Sequence, residues 1–277
     1  MAGETPGSVP RYPPPQPSPS RGEGARKSPA QSCPERRVGE VLPTIRLLGL
    51  DFANLTPRDT LSHLLARPPD APFGYVVTPN ADHLVRLSRD PTLRGPYDQA
   101  ALRLLDSRVV AGLARAIGLP TPPVVTGSDL TAALLAEIRS DVTIIGLDPA
   151  FLPALGLSRV AHHNPPQGFA RDPAAFARAV RFAVDHPARF TLLAVGSPRQ
   201  ERLAAAIAAG GGATGLGLCV GASLEFLAGA RRRAPLWMQR TGLEWAHRLA
   251  GDPRRLARRY LLDCPAIIPL LLRDRLG

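Results

Sequence analysis

At 277 residues the chain is long enough for one large core or two modest ones. A hydrophobic share of 44% and a mean hydropathy of −0.03 are those of an ordinary globular protein. The formal charge of +11 rests on 34 basic residues, all arginine except Lys27, and points to an anionic partner: nucleic acid, anionic lipid or a diphosphate. Cys33, Cys219 and Cys264 are too scattered for a disulfide framework or a CxxC zinc site, and the amino end has no apolar leader core, so a soluble or peripheral protein of a reducing compartment is expected.

Residues 1–43 carry ten prolines with Ser, Gly and Arg between them and read as a disordered tail, because little apolar surface is available to offset the entropy of ordering. Order begins near Thr44, with a strand over Ile45–Leu50 and a helix opened by Thr56-Pro57. A strand over Gly74–Thr78 stops at Pro79-Asn80, before a helix over Ala81–Ser88. A further helix is expected around Pro91–Ala101, then a short strand over Leu102–Asp106. Ser107 caps the next helix, and Pro123–Thr126 reads as another strand, followed by a helix from Gly127 to Arg139. Strands over Val142–Gly146, Val160–His163, Phe190–Gly196 and Leu216–Val220 alternate with helices over Asp172–Val184 and Pro198–Ala208. Near-continuous apolar strands alternating with amphipathic helices predict an α/β fold, a Rossmann-like, mainly parallel sheet covered on both faces, over residues 44–230.

Residues 231–277 differ in kind. Arg231–Tyr260 holds both tryptophans, and nine of its thirty residues are arginine. The spacing of Leu236, Gln239, Leu243 and His247 predicts a helix opened by Pro235, and Asp252-Pro253 restarts the chain as a second helix. On it Arg255, Arg258 and Arg259 share a face that Arg248 can join. Converging guanidiniums suit phosphate, which accepts two parallel hydrogen bonds from the planar fork; the alternative is a solvated basic face. The apolar run Leu261–Leu272 reads equally as an interfacial anchor on anionic lipid or as a helix packed on the sheet or on a second subunit, which leaves a homo-oligomer open.

In an open parallel sheet ligands bind at the carboxyl ends of the strands. The candidates are therefore Thr78-Pro79-Asn80, Asp106, Thr126-Gly127-Ser128-Asp129 and Gly196 through Glu201. Asp106 is either a general base for a hydroxyl nucleophile or a loop-bonding carboxylate. Thr78 and Asn80 either meet substrate or end a strand and cap a helix. Gln200 presents an amide in a first helical turn, and Asp129 reads best as a first-turn stabiliser. The glycines at 215, 217 and 221 miss the dinucleotide spacing, and His162 and His163 point to opposite faces of a strand. No Walker loop or GxSxG elbow is present.

These motifs, with Pro165-Pro166-Gln167-Gly168-Phe169, Arg233-Ala234-Pro235 and Gly242-Leu243-Glu244-Trp245, resemble the WecG/TagA/CpsF family of bacterial glycosyltransferases over roughly Ile45–Arg259. The resemblance implies an inverting transfer from a UDP-sugar, commonly UDP-N-acetylmannosamine or another UDP-hexose, to a sugar on a polyprenyl diphosphate, in cell-envelope or exopolysaccharide synthesis. It implies a cytoplasmic enzyme, peripheral on the inner face of the membrane, with a basic appendage that helps complete the site. It places Asp106 as base, Thr78 and Asn80 as substrate contacts, Gln200 on the nucleotide side, and Arg248, Arg255 and Arg258 as appendage arginines; Gly127, Asp129 and Gly196 join the substrate-binding candidates. No cofactor is implied and no metal-ligand cluster is visible, which leaves arginines to take the role of a divalent ion. The chain departs from the pattern at Ser107, where glycine is usual, and at Val124, where arginine is usual. A non-catalytic nucleotide-sugar binder of the same fold is the alternative. A nucleic-acid-binding protein ranks below it, since the chain carries no recognition motif for one.

Overall fold

The computed structural model describes residues 42–138 and 140–276, so residues 1–41 of the stretch read as a disordered tail, with Arg139 and Gly277, lie outside the described residues. Strands β1 (Thr44–Leu47) and β2 (Leu50–Ala53) form an antiparallel hairpin, where the sequence predicts one strand over Ile45–Leu50. Leu48 and Gly49 both take positive φ, 51° and 74°, as a tight hairpin turn demands. Six strands make the main sheet, all parallel, in the order β4 (Leu102–Arg103), β3 (Gly74–Val77), β8 (Leu216–Cys219), β7 (Phe190–Ala194), β5 (Val142–Gly146), β6 (Val160–His163). The Rossmann-like class is thus the observed one.

The sheet is buried on both faces. Tyr75, Val77, Ile145, Leu193 and Cys219 face one cluster with helices α2 (Ala81–Arg89), α4 (Arg108–Ala116), α6 (Pro173–Asp185) and α7 (Arg199–Gly210). Val76, Ile144, Leu192 and Leu218 face the other, with α1 (Pro57–Ala66), α5 (Gly127–Glu137) and α8 (Ser223–Leu227). Alternation along each strand divides the side chains between the two layers, and truncating one such buried Leu to Ala costs about 2–5 kcal/mol.

Three expected elements shrink, among them the strand over Leu102–Asp106, of which only the two residues of β4 remain. The helix around Pro91–Ala101 is a 3₁₀ turn over Pro91–Leu93 and the four-residue α3 (Gly95–Asp98). The Pro123–Thr126 strand is only a bridge, Val124 to Leu105, because Pro122 and Pro123 lack the N–H groups that a ladder needs. Nearby, Arg103 ties the end of β4 to its surroundings, donating to the carbonyls of Asp51 (2.7 Å), Tyr97 (3.0 Å) and Ala100 (3.0 Å).

In the basic segment the helix expected from Pro235 is two helices, α9 (Leu236–Thr241) and α10 (Glu244–Gly251), broken where Gly242 takes φ 78°. The expected Leu236–His247 face is therefore split, and Leu236 and Trp237 are 67% and 61% exposed. Pro253 opens α11 (Pro253–Ala257), which runs into a π-helical segment (Arg258–Asp263), a 3₁₀ turn and α12 (Ile267–Leu276). On α12, Ile267 and Leu271 are buried in the cluster shared with α2 and α4, while Ile268, Leu272 and Leu276 face outward.

Candidate functional site

Three chain ends meet beyond the carboxyl ends of β3 and β4. The chain after β4 continues the ladder: Leu104 N–H donates to Val77 O and Asp106 N–H to Pro79 O, each at 3.0 Å. That pairing brings Asp106 beside Asn80. Asn80 caps α2, its Oδ1 accepting from Asp82 N–H (3.1 Å) and His83 N–H (3.4 Å). Ser107 caps α4 through Val110 N–H, as predicted. Thr126 caps α5, and Gly127 N–H donates to Asp106 Oδ2 at 3.2 Å. Gly127 lets the groups close up. A Cβ there would stand 3.0 Å from Thr78 Oγ1 and 3.5 Å from Asp106 Oδ2.

Asp106, Asn80 and Thr126 line a cavity of about 430 Å³ between this sheet end and the basic segment. Its polar part includes Asp82, Glu244, Arg248 and Arg259; Leu113, Leu261, Pro265, Ile267 and Ile268 form an apolar part, with Trp245 and Tyr260 in its wall. Burial pushes the Asp106 carboxyl up to about 7, against the pull of Arg248 and the Gly127 N–H, with Glu244 and Asp129 adding to the rise. Arg248 donates to Glu244 Oε1 at 2.9 Å and lies 5.0 Å above the Phe226 ring. Arg259 and Arg86 both hold Asp82 Oδ2, at 3.0 and 3.1 Å.

The remaining candidates are placed less simply. Gln200 is buried and bonded to protein: Oε1 accepts from Gly221 N–H (2.9 Å) and Nε2 donates to Glu201 (3.0 Å). Gly196 turns the chain after β7 at φ 75°, and neither it nor Gln200 lines the cavity. Asp129 shares a reciprocal cap with Thr126 and pairs with Arg233 at 2.7 Å. Burial alone would raise its carboxyl, but the hydrogen bonds from Arg233 and Thr126 and the charges of Arg233 and Arg108 hold it below the usual range. The side chain of Arg255 lies outside the described residues. Arg258 is exposed and near Asp263, whereas Arg259, at the start of the π-helical segment, reaches the cavity. The sequence places Arg259 on the shared arginine face and Arg233 and Glu244 within the quoted motifs, but it gives Asp82, Arg233 and Glu244 no role of their own. For Asp82 the visible signal is its spacing of four from Arg86.

His162 and His163 do point apart: His162 Nε2 lies 3.1 Å from the carbonyls of Gly146 and Leu147, and the His163 ring packs on Phe182. Among the described residues, no helix is long and apolar enough to cross a membrane.

The model of the Glycosyl transferase WecG/TagA/CpsF family matches residues 45–277. The chain belongs to this family. It is therefore a glycosyl transferase of cell-envelope polymer synthesis, in a family that takes a nucleotide-sugar donor and a lipid-linked acceptor. The match runs through the basic segment to the last residue, so the WecG/TagA/CpsF pattern includes both walls of the cavity.

Proposed function

We propose that this protein is an inverting glycosyltransferase that moves a hexose or N-acetylhexosamine from a UDP-sugar to a sugar carried on a polyprenyl diphosphate. The observation that carries the reading is the Asp106 carboxyl, desolvated at one wall of the cavity and poised near neutrality, with Arg248 and Arg259 on the other. In an inverting transfer the acceptor hydroxyl oxygen attacks the anomeric carbon from the face opposite the leaving group. Its proton passes to the Asp106 carboxylate as the carbon–oxygen bond to UDP breaks, and the electron pair leaves on the diphosphate. A base with its pKa near the working pH balances availability against basicity. Negative charge growing on the diphosphate is met by Arg248 and Arg259, with the positive dipole ends of α2 and α5 at the same cavity.

The membrane side of the reading rests on the same segment. Leu236, Trp237, Leu261, Leu262, Ile268 and Leu272 are exposed apolar side chains on a stretch with eleven arginines and four acidic residues from Ala230 onward. Apolar side chains among cations suit the interface of an anionic leaflet, where a polyprenyl-linked acceptor resides. On this reading the enzyme is cytoplasmic and peripheral on the inner face of the membrane.

The test is UDP release from a panel of UDP-sugars, with and without a short-chain prenyl-diphosphate sugar acceptor, for the wild type and Asp106→Asn side by side. Acceptor-dependent release that is lost in the variant, with donor binding kept, is the expected result. Donor binding without release in any combination would replace this reading with the non-catalytic one.

A further inference from the structure

A chain of contacts joins the two walls of the cavity. Starting at Asp106, Oδ2 accepts from Gly127 N–H at 3.2 Å, and the preceding residue, Thr126, donates its hydroxyl to Asp129 Oδ2 at 2.7 Å. Asp129 Oδ1 lies 2.7 Å from Arg233 Nη1, and Arg233 Nε lies 3.7 Å from Glu244 Oε1. Glu244 accepts from Arg248 at 2.9 Å, which returns to the cavity facing Asp106. The Arg233 and Glu244 side chains are 22% and 18% exposed, and Arg233 Nε and Nη2 are buried without a hydrogen-bond partner. The charge of Arg233 is therefore compensated mainly by these two carboxylates, one on each wall.

We propose that Asp129, Arg233 and Glu244 form the joint that fixes Arg248 relative to Asp106, with Arg233 and Glu244 as positioning residues for the transfer. The proposal rests on the glycosyltransferase reading only in what the positioning serves; the joint itself can be tested without turnover. Charge acting on Asp106 comes from Arg248 and Glu244 on α10 and from Asp129 and the Gly127 N–H on α5, and the cavity that Asp106 lines also holds Asp82 of α2, Arg108 of α4 and Arg259 of the π-helical segment. Removing Arg233 leaves Asp129 and Glu244 unscreened, so the proton on Asp106 is held more tightly. Neutralising Glu244 removes one of the negative charges that hold it.

Both tryptophans flank this joint, and Trp245 packs on Tyr260 with ring centroids 6.0 Å apart. In a Trp237→Phe background Trp245 alone reports the wall. Acrylamide quenching is compared for that parent, Arg233→Met, Asp129→Asn and the double variant. Each single change is expected to raise the quenching constant by about twofold, and the double no further, since coupled groups on one contact are not additive. Unchanged quenching in the single variants, or effects that add, would overturn the joint. In UDP-release assays the Glu244→Gln variant, isosteric and able to fold where Arg233→Met fails, should lose on the order of tenfold to a hundredfold in kcat. The acid limb of its kcat/KM should move to lower pH, and that of Arg233→Met to higher pH. Limbs that stay in place as kcat falls would show a packing role and sink the positioning claim. A wild type without turnover but with the non-additive quenching pattern would keep the joint and refute the glycosyltransferase reading.

Discussion

Asp274 Oδ2 accepts the backbone N–H of Leu48 at 2.9 Å, tying the last turn of α12 to the turn of the β1–β2 hairpin. Next to that bond lies a second cavity of about 230 Å³, bounded by Leu48, Leu84 and Leu270. Leu48 has a positive φ, so its N–H is aimed by a turn that only the hairpin imposes. Asp274→Ala should leave that N–H without its acceptor, at a cost of about 1–3 kcal/mol. Hydrogen exchange should quicken across Ile267–Leu276, and kcat/KM should fall because Ile267 and Ile268 line the larger cavity. Unchanged exchange in α12 would show that apolar packing alone holds it.

The proton on Asp106 has a stability consequence. Its carboxyl titrates near 7 in the folded chain and near 3.8 when unfolded. Below about pH 4 both states are protonated and the group is neutral toward folding. Between about 4 and 7 the unfolded chain alone releases the proton, so the wild type loses stability, by at most a few kcal/mol, and levels off above 7. Asp106→Asn lacks this loss. Thermal melts should show the variant more stable at pH 8 and indistinguishable near pH 4. The wild-type kcat/KM should rise through about pH 7 as the base ionises. A variant that melts lower than wild type at pH 8 would contradict the burial of this charge.

Arg259 should outweigh Arg258. Arg259→Ala removes a guanidinium from the cavity wall and should raise KM by about tenfold, as expected for a charge-assisted phosphate contact. Arg258→Ala removes an exposed cation and should change KM by less than about twofold. Steady-state UDP release measures both. A larger effect at Arg258 would mean that the π-helical turn is not the form that binds substrate.

Membrane attachment should depend on the outward apolar side chains. A Trp237→Ser, Leu262→Ser double variant gives up two of the most exposed, each worth roughly 1.5–3 kcal/mol when fully buried. Sedimentation with phosphatidylglycerol vesicles should weaken by at least about tenfold and should also weaken with salt, because the arginines contribute a screened attraction. Equal binding by wild type and variant would place the contact elsewhere.

The sequence made the strand ends legible and the basic segment only partly so. Asn80, Ser107, Thr126 and Asp172 stand where a capping side chain follows an apolar strand or loop, and each caps as its chemistry requires. Asp106 stands out because a carboxylate directly after an apolar run marks where a buried strand reaches the cleft. Local pattern did not reveal the Leu48-Gly49 hairpin, since six apolar-rich residues in a row look like one strand. Spacing puts Arg258 and Arg259 on one face without saying which of them enters the cavity, and in the structure it is Arg259. Gln200 looked available in a first turn, but its amide pairs with Gly221 from a strand end distant in sequence. The chain of contacts through Arg233 and Glu244 depends on two segments folding together, which periodicity does not encode.

The outer margin of β4 has a bearing on how the protein avoids its own kind. A two-residue border strand with an open flank would template a strand from another molecule, the usual start of edge-to-edge association. Here the Arg103 fork binds the border strand to the carbonyls of Asp51, Tyr97 and Ala100, and the next backbone outward begins with two prolines that offer no donor. The same arrangement that steadies the strand leading to Asp106 thus closes this border to intermolecular β-pairing.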